Sequence, residues 1–576
     1  MGYREAYAKW LGEDGLDASL REELVKINGD ERDVEDRFYK ELDFGTAGLR
    51  GIIGAGTNRI NVYIVRRATQ GLALYLKRIA GAAERGVAIA FDSRRMSARF
   101  ARETALVLAA NGIRAYLFET LRSVPQLSFT IRHLNCIAGV VITASHNPAQ
   151  YNGYKVYWEH GGQMGPEQAE EVTGYIRSLD LFEARPMDEN EAVEKGLLTY
   201  IGRAVDEAYY EATETLLLHP DLVKRKGSDL SIVYTPLYGS GNVPVRAMLE
   251  RIGITNVSVV KEQETPDPAF PGLSAPNPED PKAFELAVEL ANQTGADVIL
   301  ATDPDSDRLG VAVRGREGNF TVLSGNQIGS LLIQYILSSK KADGVLISDS
   351  LVVKSIVSTR MAKAICARYG VQIKEVLTGF RFISEIIDQC HKMGTPEFLF
   401  GFEESYGFLA GGFSRDKDAI CAAMLVAEAC VFYKELGKTL FDVLQEMYAL
   451  YGWYQEGVIS YTLEGKSGME RIGRIMSRLR ERPMDSIAGI RVSVMEDFLP
   501  RKRIHIDGAI EEEIQLPASN VLRYMMNGDA WLCVRPSGTE PKLKLYAGVR
   551  GEDEQGAGAL LQNMLDYMDK VLSQIN

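Results

Sequence analysis

The sequence has no excess of basic residues, few cysteines and no long apolar run. Its formal net charge is -13, which argues against a nucleic acid partner because such proteins need clustered lysines and arginines. Only six cysteines are scattered along the chain without a Cys-x-x-Cys pair, which excludes a disulfide scaffold and favours a reducing compartment. The longest apolar stretches, such as 136–144, are about half a membrane span, and residues 1–6 carry charges where a signal peptide is apolar. We therefore expect a cytoplasmic protein with no nucleic acid partner and no membrane segment.

What the chain does have is length and the composition of an ordinary globular protein. Its 576 residues are several times the size of a typical domain, so three to five domains are expected. Apolar residues make up 46% and charged residues 25%, which is enough apolar material for several cores. Because the overall charge is negative, an anionic substrate has to be attracted by a local basic pocket.

Short β-rich runs and helical periods alternate in three successive parts of the chain. This alternation is typical of βαβ units, so we predict an α/β fold of three similar mixed-sheet domains and a smaller C-terminal α+β domain. The domain boundaries are placed at 1–215, 216–320, 321–450 and 451–576. The predicted elements are strands 87–91, 116–118 and 138–142 with a helix over 97–110; strands 231–234, 257–260 and 298–300 with helices over 243–251 and 281–292; strands 345–347, 371–376 and 398–400 with helices over 352–367 and up to 390; and a terminal helix over 554–572.

Polar loops follow the last strand of each predicted α/β domain. They cover 143–148, 302–308 and 401–407. Open α/β sheets bind ligands beyond the carboxyl ends of their strands. The pattern therefore suggests three related domains whose loops face one central cleft.

The first loop contains Ser145, and Pro148 prevents regular structure from continuing past it. A turn at 152–153 can bring Lys155 back towards the serine. Such a hydroxyl can donate or accept a phosphoryl group while the lysine neutralises charge or moves a proton. Taken alone, the loop favours an ordinary turn-capping serine, and both interpretations stay open at this point.

The second loop places Asp303, Asp305 and Asp307 at alternate positions, with Arg308 directly behind them. Three converging carboxylates repel one another unless a hard cation such as Mg²⁺ lies between them. The alternative is an acidic, solvated loop, which would leave the position of Arg308 unexplained. A phosphoserine of about -2 charge beside this loop would require further cations, for which Arg308, Lys155 and Arg50 are the candidates.

Two later loops have opposite character. Residues 403–405 offer acceptors suited to sugar hydroxyls and include no cation, although a helix-capping loop would look the same. Residues 535–539 combine a guanidinium, two hydroxyls and a glycine, the parts of an anion clamp, although a surface turn could have this composition.

Taken together, these loops resemble the α-D-phosphohexomutase family, most closely its phosphoglucomutase branch. Six motifs occur in the order of that family over nearly the whole chain, which is far more specific than any one of them. The motifs are F-G-T-A-G-L-R-G at 44–51, T-A-S-H-N-P at 143–148, D-P-D-S-D-R at 303–308, T-G-F at 378–380, E-E-S at 403–405 and R-P-S-G-T at 535–539.

The resemblance implies a four-domain, heart-shaped enzyme that binds small sugar phosphates in a shared cleft. The successive domains would carry the phosphoserine, the metal, the sugar-binding loop and the phosphate-binding loop. Mg²⁺ would be the cofactor, and glucose 1,6-bisphosphate the intermediate and activator. The implied metal ligands are Ser145, Asp303, Asp305 and Asp307, and the implied catalytic residues are Ser145, His146, Lys155, Arg308 and Arg50. The implied substrate-binding residues are Thr378, Gly379, Arg381, Glu403, Ser405, Lys417, Arg535, Ser537, Gly538 and Thr539.

Three positions depart from the family pattern, which leaves the sugar specificity open. Gly407 stands where many members have a histidine, Arg381 where several have lysine, and Tyr238 where histidine is common. Phosphoglucomutase activity is the expected function, with phosphomannomutase or phosphopentomutase activity as alternatives on the same scaffold. An aspartyl-type phosphatase with Asp303 as nucleophile and a non-catalytic sugar-phosphate binder are more distant alternatives.

Overall fold

The computed structural model describes residues 2–45, 48–463, 465–506, 510–537 and 542–575, with only the backbone at 465 and 466. These residues form two compact units. The first unit comprises Met1–Leu323, Ser384–Phe398 and Ser405–Leu436, and the second comprises Ser324–Ile383, Leu399–Glu404 and Gly437–Asn576. No helix within the described ranges combines the length and the apolar character that crossing a bilayer requires.

Helices and strands alternate along most of the chain. The α-helices are α1 (Tyr3–Leu11), α2 (Ala18–Lys26), α3 (Glu31–Phe38), α4 (Val62–Leu76), α5 (Ala82–Arg85), α6 (Ser97–Ala110), α7 (Val124–His133), α8 (Pro166–Ser178), α9 (Glu189–Glu194), α10 (Arg203–Glu214), α11 (Pro220–Lys226), α12 (Asn242–Arg251), α13 (Lys261–Glu264), α14 (Glu285–Thr294), α15 (Gly325–Ala342), α16 (Met361–Tyr369), α17 (Phe380–Met393), α18 (Ala419–Glu435), α19 (Leu440–Tyr451), α20 (Gly465–Glu481) and α21 (Glu554–Ser573), with short 3₁₀ helices at Gly227–Asp229, Pro281–Phe284 and Asn527–Asp529. The strands are β1 (Gly48–Ile52), β2 (Val87–Phe91), β3 (Ala115–Phe118), β4 (Ala138–Ile142), β5 (Tyr151–Trp158), β6 (Leu198–Ile201), β7 (Ile232–Thr235), β8 (Val257–Val259), β9 (Val298–Thr302), β10 (Leu309–Arg314), β11 (Phe320–Val322), β12 (Ser350–Ser355), β13 (Gln372–Val376), β14 (Glu397–Glu403), β15 (Gly407–Ala410), β16 (Trp453–Thr462), β17 (Ser486–Ile487), β18 (Ile490–Asp497), β19 (Lys502–His505), β20 (Ile510–Glu513), β21 (Leu522–Met526), β22 (Trp531–Pro536) and β23 (Lys542–Gly551).

The first unit contains two mixed sheets. In one, the strand order is β1-β5-β4-β2-β3-β6, with β4, β2, β3 and β6 parallel and β5 antiparallel to both of its neighbours. In the other, the order is β11-β10-β9-β7-β8, with β9, β7 and β8 parallel. Strand β9 returns at once as antiparallel β10, pairing Thr302 with Leu309, so the six residues between them form a tight loop.

The second unit contains a sheet with the order β13-β12-β14 and a large antiparallel C-terminal sheet. The C-terminal sheet has the order β16-β23-β22-β21-β18-β19-β20, and β17 pairs with β18. Apolar residues of the two sheets share a core, in which Ile356 and Leu377 pack with Trp531, Cys533 and Tyr546. The C-terminal α+β domain therefore packs directly on the third α/β domain.

The predicted fold class is confirmed by these sheets. In the third α/β domain, however, the first strand and the helix after it were predicted at the wrong positions. Residues 345–347 form no strand, and the predicted helix over 352–367 begins with the strand β12 and becomes helical only at α16. The physical reason is burial: Val345 and Ile347 are about half exposed, at 56% and 49%, whereas every residue of β12 is buried. The β-branched run in β12 forms the inner strand, and the earlier apolar residues lie on the surface.

Candidate active site

Ser145 lies where β4 ends, in a loop whose backbone is held in a left-handed conformation. Its φ is 51° and its side chain is buried. Its N–H donates to Thr143 Oγ1 at 2.8 Å, and its hydroxyl donates to Asp303 Oδ2 at 2.8 Å. The hydroxyl also lies 3.1 Å from His146 Nδ1. A left-handed non-glycine residue is uncommon, and here it directs the serine hydroxyl at an acidic loop of the neighbouring sheet.

Arg94, which the sequence analysis missed, holds the serine loop in place. Its buried guanidinium donates to the carbonyl oxygens of Ser145 at 2.6 Å and Pro148 at 2.9 Å, and it also bonds the Asn147 carbonyl. Asp92 Oδ2 lies 3.3 Å from Arg94 Nε and balances its charge. The signal was available, because this pair follows the carboxyl end of β2, a parallel neighbour of β4, where ligand loops of such sheets gather.

Asp303, Asp305 and Asp307, called the acidic triplet below, converge in the tight loop between β9 and β10. Each offers an oxygen, and these three oxygens lie within 4.8 Å of one another in a buried position. The N–H groups of Asp307 and Arg308 both donate to Asp303 Oδ1 at 3.1 Å, which fixes the first carboxylate. Asp305 Oδ1 and Asp307 Oδ1 are buried without a hydrogen-bond partner in the described part of the chain. Orphaned oxygens at this spacing fit a hard cation.

Two lysines partly balance the triplet. Lys155 Nζ lies 2.9 Å from Asp305 Oδ2, and Lys417 Nζ lies 3.2 Å from Asp307 Oδ2. Burial raises the pKa of Asp303 well above its ordinary value, and the repulsion of Asp305 and Asp307 raises it further. Burial also disfavours ionised Asp305, but Lys155 and the bond to Asp303 outweigh it and lower the pKa of Asp305. The triplet thus stores like-charge repulsion that a bound cation would relieve.

Arg308 reaches the triplet less directly than its position in the sequence indicates. Its guanidinium pairs with Glu279, an acidic residue that the sequence analysis did not identify, and its Nε lies 3.9 Å from Asp307 Oδ1. Glu279 precedes the helical turn before α14, far from any of the quoted motifs. It therefore carried no sequence signal of its own.

His146 and Arg50 border the serine loop. Burial lowers the pKa of His146 well below its ordinary value, and the positive charges of Arg308 and Arg50 lower it further, which keeps the imidazole neutral. The Arg50 Nη1 donates to Asn147 Oδ1 at 3.2 Å, and the Arg50 side chain is exposed. The structure therefore brings Ser145 and Lys155 into contact with the acidic triplet, and it places His146 and Arg50 beside the serine hydroxyl and its loop.

Ser405 and Lys417 also lie in the first unit. The residue after Ser405, Tyr406, accepts a hydrogen bond from Leu309 N at 3.1 Å, which joins this loop to the end of the acidic loop. A Cβ on Gly407 would lie 2.2 Å from Lys417 Cδ. The glycine that replaces the histidine of many family members thus leaves room for the lysine stem that reaches the triplet.

The remaining predicted sugar-loop residues lie in the second unit. Gly379, with a φ of 125°, donates its N–H to Glu403 Oε1 at 2.7 Å. Thr378 Oγ1 is buried without a partner in the described ranges. The Arg381 guanidinium lies 4.5 Å from the ring centroid of Phe382. The Gly379 N–H thus orients the Glu403 carboxylate, and the hydroxyl of Thr378, the preceding residue, still has hydrogen-bonding capacity.

The predicted phosphate clamp is only partly described. Arg535 lies at the end of β22, and Ser537 N–H donates to the carbonyl of Lys542 at 2.7 Å, which closes the hairpin to β23. Gly538 and Thr539 lie outside the described residues. The roles predicted for all of these residues stay predictions.

Comparison with known proteins gives a consistent result along the chain. Family models described as phosphoglucomutase/phosphomannomutase match in four parts: α/β/α domains I, II and III at 41–182, 207–318 and 324–451, and the C-terminal domain at 501–562. The curated phosphoglucomutase of Staphylococcus aureus strain USA300 is 38% identical over 523 residues, which is 90% of this chain and 92% of the relative.

Solved structures show the same fold at low sequence identity. Parafusin (phosphoglucomutase) from Paramecium superposes with a TM-score of 0.66 at 15% identity, over 93% of this chain and 96% of that one. A phosphoglucomutase/phosphomannomutase family protein from Burkholderia thailandensis gives a TM-score of 0.64 at 17% identity, over 92% and 97%. The resemblance seen in the six sequence motifs is confirmed. The chain belongs to the phosphoglucomutase/phosphomannomutase family.

Proposed function

We propose that this protein is a phosphoglucomutase, which interconverts glucose 1-phosphate and glucose 6-phosphate through a phosphoserine at Ser145. The observation that carries the proposal is the 2.8 Å contact between the Ser145 hydroxyl and Asp303 of the buried acidic triplet. It joins a phosphoryl carrier to a cation site. The 38% identity to a curated phosphoglucomutase over 90% of the chain supports glucose as the sugar.

The acidic triplet suits Mg²⁺, and Ser145 can complete its ligands. The fit rests on the two orphaned carboxylate oxygens and on the all-oxygen character of the site, which is typical of hard divalent cations. When bound, such a cation neutralises charge that develops on a transferring phosphoryl group.

The side chains around Ser145 have different roles in phosphoryl transfer. Phosphoserine passes its phosphoryl group to the free hydroxyl of the sugar phosphate, which gives glucose 1,6-bisphosphate, and Ser145 then takes back the other phosphoryl group. Lys155 serves as general acid and base towards the sugar hydroxyl, and neutral His146 can donate its Nδ1–H to the serine oxygen, whose own hydrogen is directed at Asp303. Arg94 fixes the loop, so the reacting oxygen is positioned before substrate binds.

Substrate contacts are proposed for the loops of both units. Glu403 and Ser405 hold sugar hydroxyls, while Thr378, Gly379 and Arg381 shape the loop beside them. Lys417 and the 535–539 loop hold the phosphate that does not react. We also propose the functional division of the chain into 1–215, 216–320, 321–450 and 451–576, which carry the phosphoserine, metal, sugar and phosphate sites in turn.

A reducing compartment is proposed on the state of the cysteines. All six are free and buried, so none depends on oxidation for its structural role. This supports the cytoplasm as the location of the enzyme.

A substrate panel tests the proposed function. Glucose 1-phosphate, mannose 1-phosphate and ribose 1-phosphate are each supplied with Mg²⁺ and glucose 1,6-bisphosphate, and the 6- or 5-phosphate product is measured in a coupled assay. We expect the highest kcat/KM with glucose 1-phosphate and no turnover after chelation. A clear preference for mannose or ribose would overturn the substrate assignment. Release of inorganic phosphate without isomerisation would instead indicate a phosphatase.

A further inference from the structure

Lys417 lies between two buried carboxylates of the first unit. Its Nζ is 3.2 Å from Asp307 Oδ2 in the acidic triplet and 3.2 Å from Asp416 Oδ1. Asp307 is one of the proposed cation ligands, whereas Asp416 belongs to none of the six sequence motifs. Asp416 is only 1% exposed, and burying a carboxylate so deeply is costly unless its partners compensate it.

Other donors hold the Asp416 carboxylate in a fixed position. Its Oδ2 accepts from the Tyr157 hydroxyl at 2.7 Å and from Gln163 Nε2 at 3.2 Å, and its Oδ1 accepts from the Lys417 N–H at 2.8 Å. Burial alone would raise the pKa of Asp416, but the charge of Lys417 and the bond from Tyr157 hold it below its ordinary value. The side chain is therefore a rigidly held anion.

The elements around Asp416 are the same ones that build the cation site. Tyr157 lies two residues after Lys155 on β5, so both side chains are on one face of that strand. Lys155 reaches the acidic triplet, while the Tyr157 hydroxyl reaches Asp416. The loop before α18 is attached to α7, because the Arg415 N–H donates to Ser128 Oγ at 2.8 Å. Asp416 is thus fixed relative to the triplet.

The two lysines at the triplet differ in the carboxylates within their reach. Lys155 Nζ lies 2.9 Å from Asp305 Oδ2 and 3.8 Å from Asp307 Oδ2, so its ion pairs within the described ranges both go to the triplet. Lys417 is also paired with a carboxylate outside the triplet. A divalent cation bound to the triplet repels both ammonium groups at short range. Lys417 can keep an ion pair by moving towards Asp416.

We propose that Asp416 is a positioning residue of the cation site, which takes over the Lys417 ammonium from Asp307 when a divalent cation binds. This role rests on the proposed function, because it takes the acidic triplet as the cation site. Asp416 acts through Lys417 and favours cation binding, since Asp307 is released while the lysine stays paired.

A Mn²⁺ titration of the full chain without substrate tests this role. Mn²⁺ takes the same oxygen ligands as Mg²⁺, and the electron paramagnetic resonance signal of the free ion falls as the ion binds, so no turnover is needed. We expect Asp416→Asn to weaken Mn²⁺ binding about tenfold, the loss of one charge-assisted contact. We expect Lys417→Met to strengthen it severalfold, because a competing positive charge is removed. Unchanged affinity in Asp416→Asn overturns the proposal.

The matched control is Asp418→Asn in the same loop. Asp418 is buried too, but it accepts from the Tyr209 hydroxyl at 2.8 Å and caps α18 by accepting from the Cys421 N–H. Asparagine can keep this cap. We expect Mn²⁺ affinity within about twofold of wild type. A tenfold loss in this control as well would show that any buried charge of the loop has the effect, and the specific role of Asp416 would be wrong.

A double variant separates the action through Lys417 from the effect of the Asp416 charge itself. In the Lys417→Met background, adding Asp416→Asn should change Mn²⁺ affinity less than about threefold, because no ammonium remains to be taken over. A tenfold loss in that background overturns the proposal. This comparison also decides the matter if Asp416→Asn alone does not fold, since the double variant replaces the ion pair with two neutral side chains.

The same titration distinguishes this role from the proposed function. Asp305→Asn should lose Mn²⁺ binding, which places the ion at the triplet. If wild type binds no Mn²⁺, or if Asp305→Asn binds it as well as wild type does, the cation site itself is wrong, and the role of Asp416 is wrong with it. If wild type binds one Mn²⁺ per chain at the triplet and Asp416→Asn binds it equally well, only the positioning role is wrong.

Discussion

Two buried clusters in this molecule differ in how their charges are arranged. In the first unit, the acidic triplet gathers like charges and leaves two carboxylate oxygens without hydrogen-bond partners in the described residues. In the second unit, Arg523 lies 3.2 Å from Glu375 Oε2 and 2.5 Å from Glu496 Oε2, and Lys354 lies 2.9 Å from Glu375 Oε1. Every charge in this second cluster, called the Glu375 cluster below, faces an opposite charge.

This difference distinguishes a cluster that can bind a ligand from one that stabilises the fold. Burial alone would raise the pKa of Glu375, but Arg523 and Lys354 hold it well below its ordinary value, so the cluster is satisfied within the protein. Arg523 also donates to the Ile356 carbonyl at 3.0 Å, which ties the C-terminal sheet to the third α/β domain. The acidic triplet is balanced only in part, by Lys155 and Lys417, and two of its carboxylate oxygens could still bind a cation. Orphaned like charges therefore indicate a site, and paired charges indicate a structural contact.

The largest effect on activity is expected when one carboxylate of the acidic triplet is removed. Asp305→Asn should lower kcat/KM at least about 10³-fold in the coupled assay, because the remaining oxygens hold Mg²⁺ poorly. The change removes repulsion from Asp303 and Asp307 but also removes the partner of Lys155, so a moderate loss of stability is expected and the melting temperature is measured beside the activity. The exposed Asp14→Asn is the matched control and should retain full activity. Full activity of a folded Asp305→Asn variant would contradict the cation site.

Breaking the Glu375 cluster should affect stability instead. Glu375→Gln leaves buried Arg523 and Lys354 under-compensated, which should cost about 3–5 kcal/mol of unfolding free energy in the second unit. Native-state hydrogen exchange of β12 and β21 measures this loss. The control is Glu511→Gln, which breaks a pair with Lys502 whose side chains are more than half exposed and should cost less than about 0.5 kcal/mol. Equal exchange rates in the two variants would refute the structural role.

The pH dependence of stability provides a second test of the Glu375 cluster, through Lys354. Burial lowers the pKa of Lys354 to about 8, with Glu375 opposing it, against 10.5 for a free lysine. The unfolded chain therefore holds this proton more tightly than the folded one, and the contribution of Lys354 to stability rises as the pH passes from 8 to 10.5. Between pH 7.5 and 10, wild type should gain about 2 kcal/mol relative to Lys354→Met. Parallel stability curves for the two proteins would show that folding does not lower the pKa of Lys354.

The smallest expected effect concerns the positioning of Ser145. Thr143 Oγ1 accepts from the Ser145 N–H and donates to Asp305 Oδ2 at 3.1 Å. Thr143→Val removes both hydrogen bonds and should lower kcat about threefold to tenfold with little change in KM. Thr130→Val, which removes a buried bond to the Gln126 carbonyl within α7, is the control and should keep wild-type kinetics. Identical kcat values would show that Thr143 does not position the serine.

The sequence allowed the catalytic loops to be predicted better than the contacts around them. Strands β2 and β4 and helix α6 begin and end where predicted, because they are continuous buried runs next to clear polar loops. The acidic triplet was found for the same reason. By contrast, α1, α2 and α3 were not predicted, since their few buried residues are separated by charged ones.

The residues that were not predicted contact residues that are far away in the sequence. Arg94 is more than fifty positions from the carbonyl of Ser145 that it binds, and Glu279 lies 29 positions before Arg308. Neither has a local pattern that marks it. The space that Gly407 leaves for Lys417 could also be seen only once β15 and the loop before α18 were placed.

Mass spectrometry of the protein after incubation with glucose 1,6-bisphosphate and Mg²⁺ tests the central claim most directly. The account predicts a gain of about 80 Da that maps to the peptide with Ser145, disappears on addition of glucose 6-phosphate and is absent from Ser145→Ala. A phosphoryl group found on Asp303, or one that remains in Ser145→Ala, would contradict it.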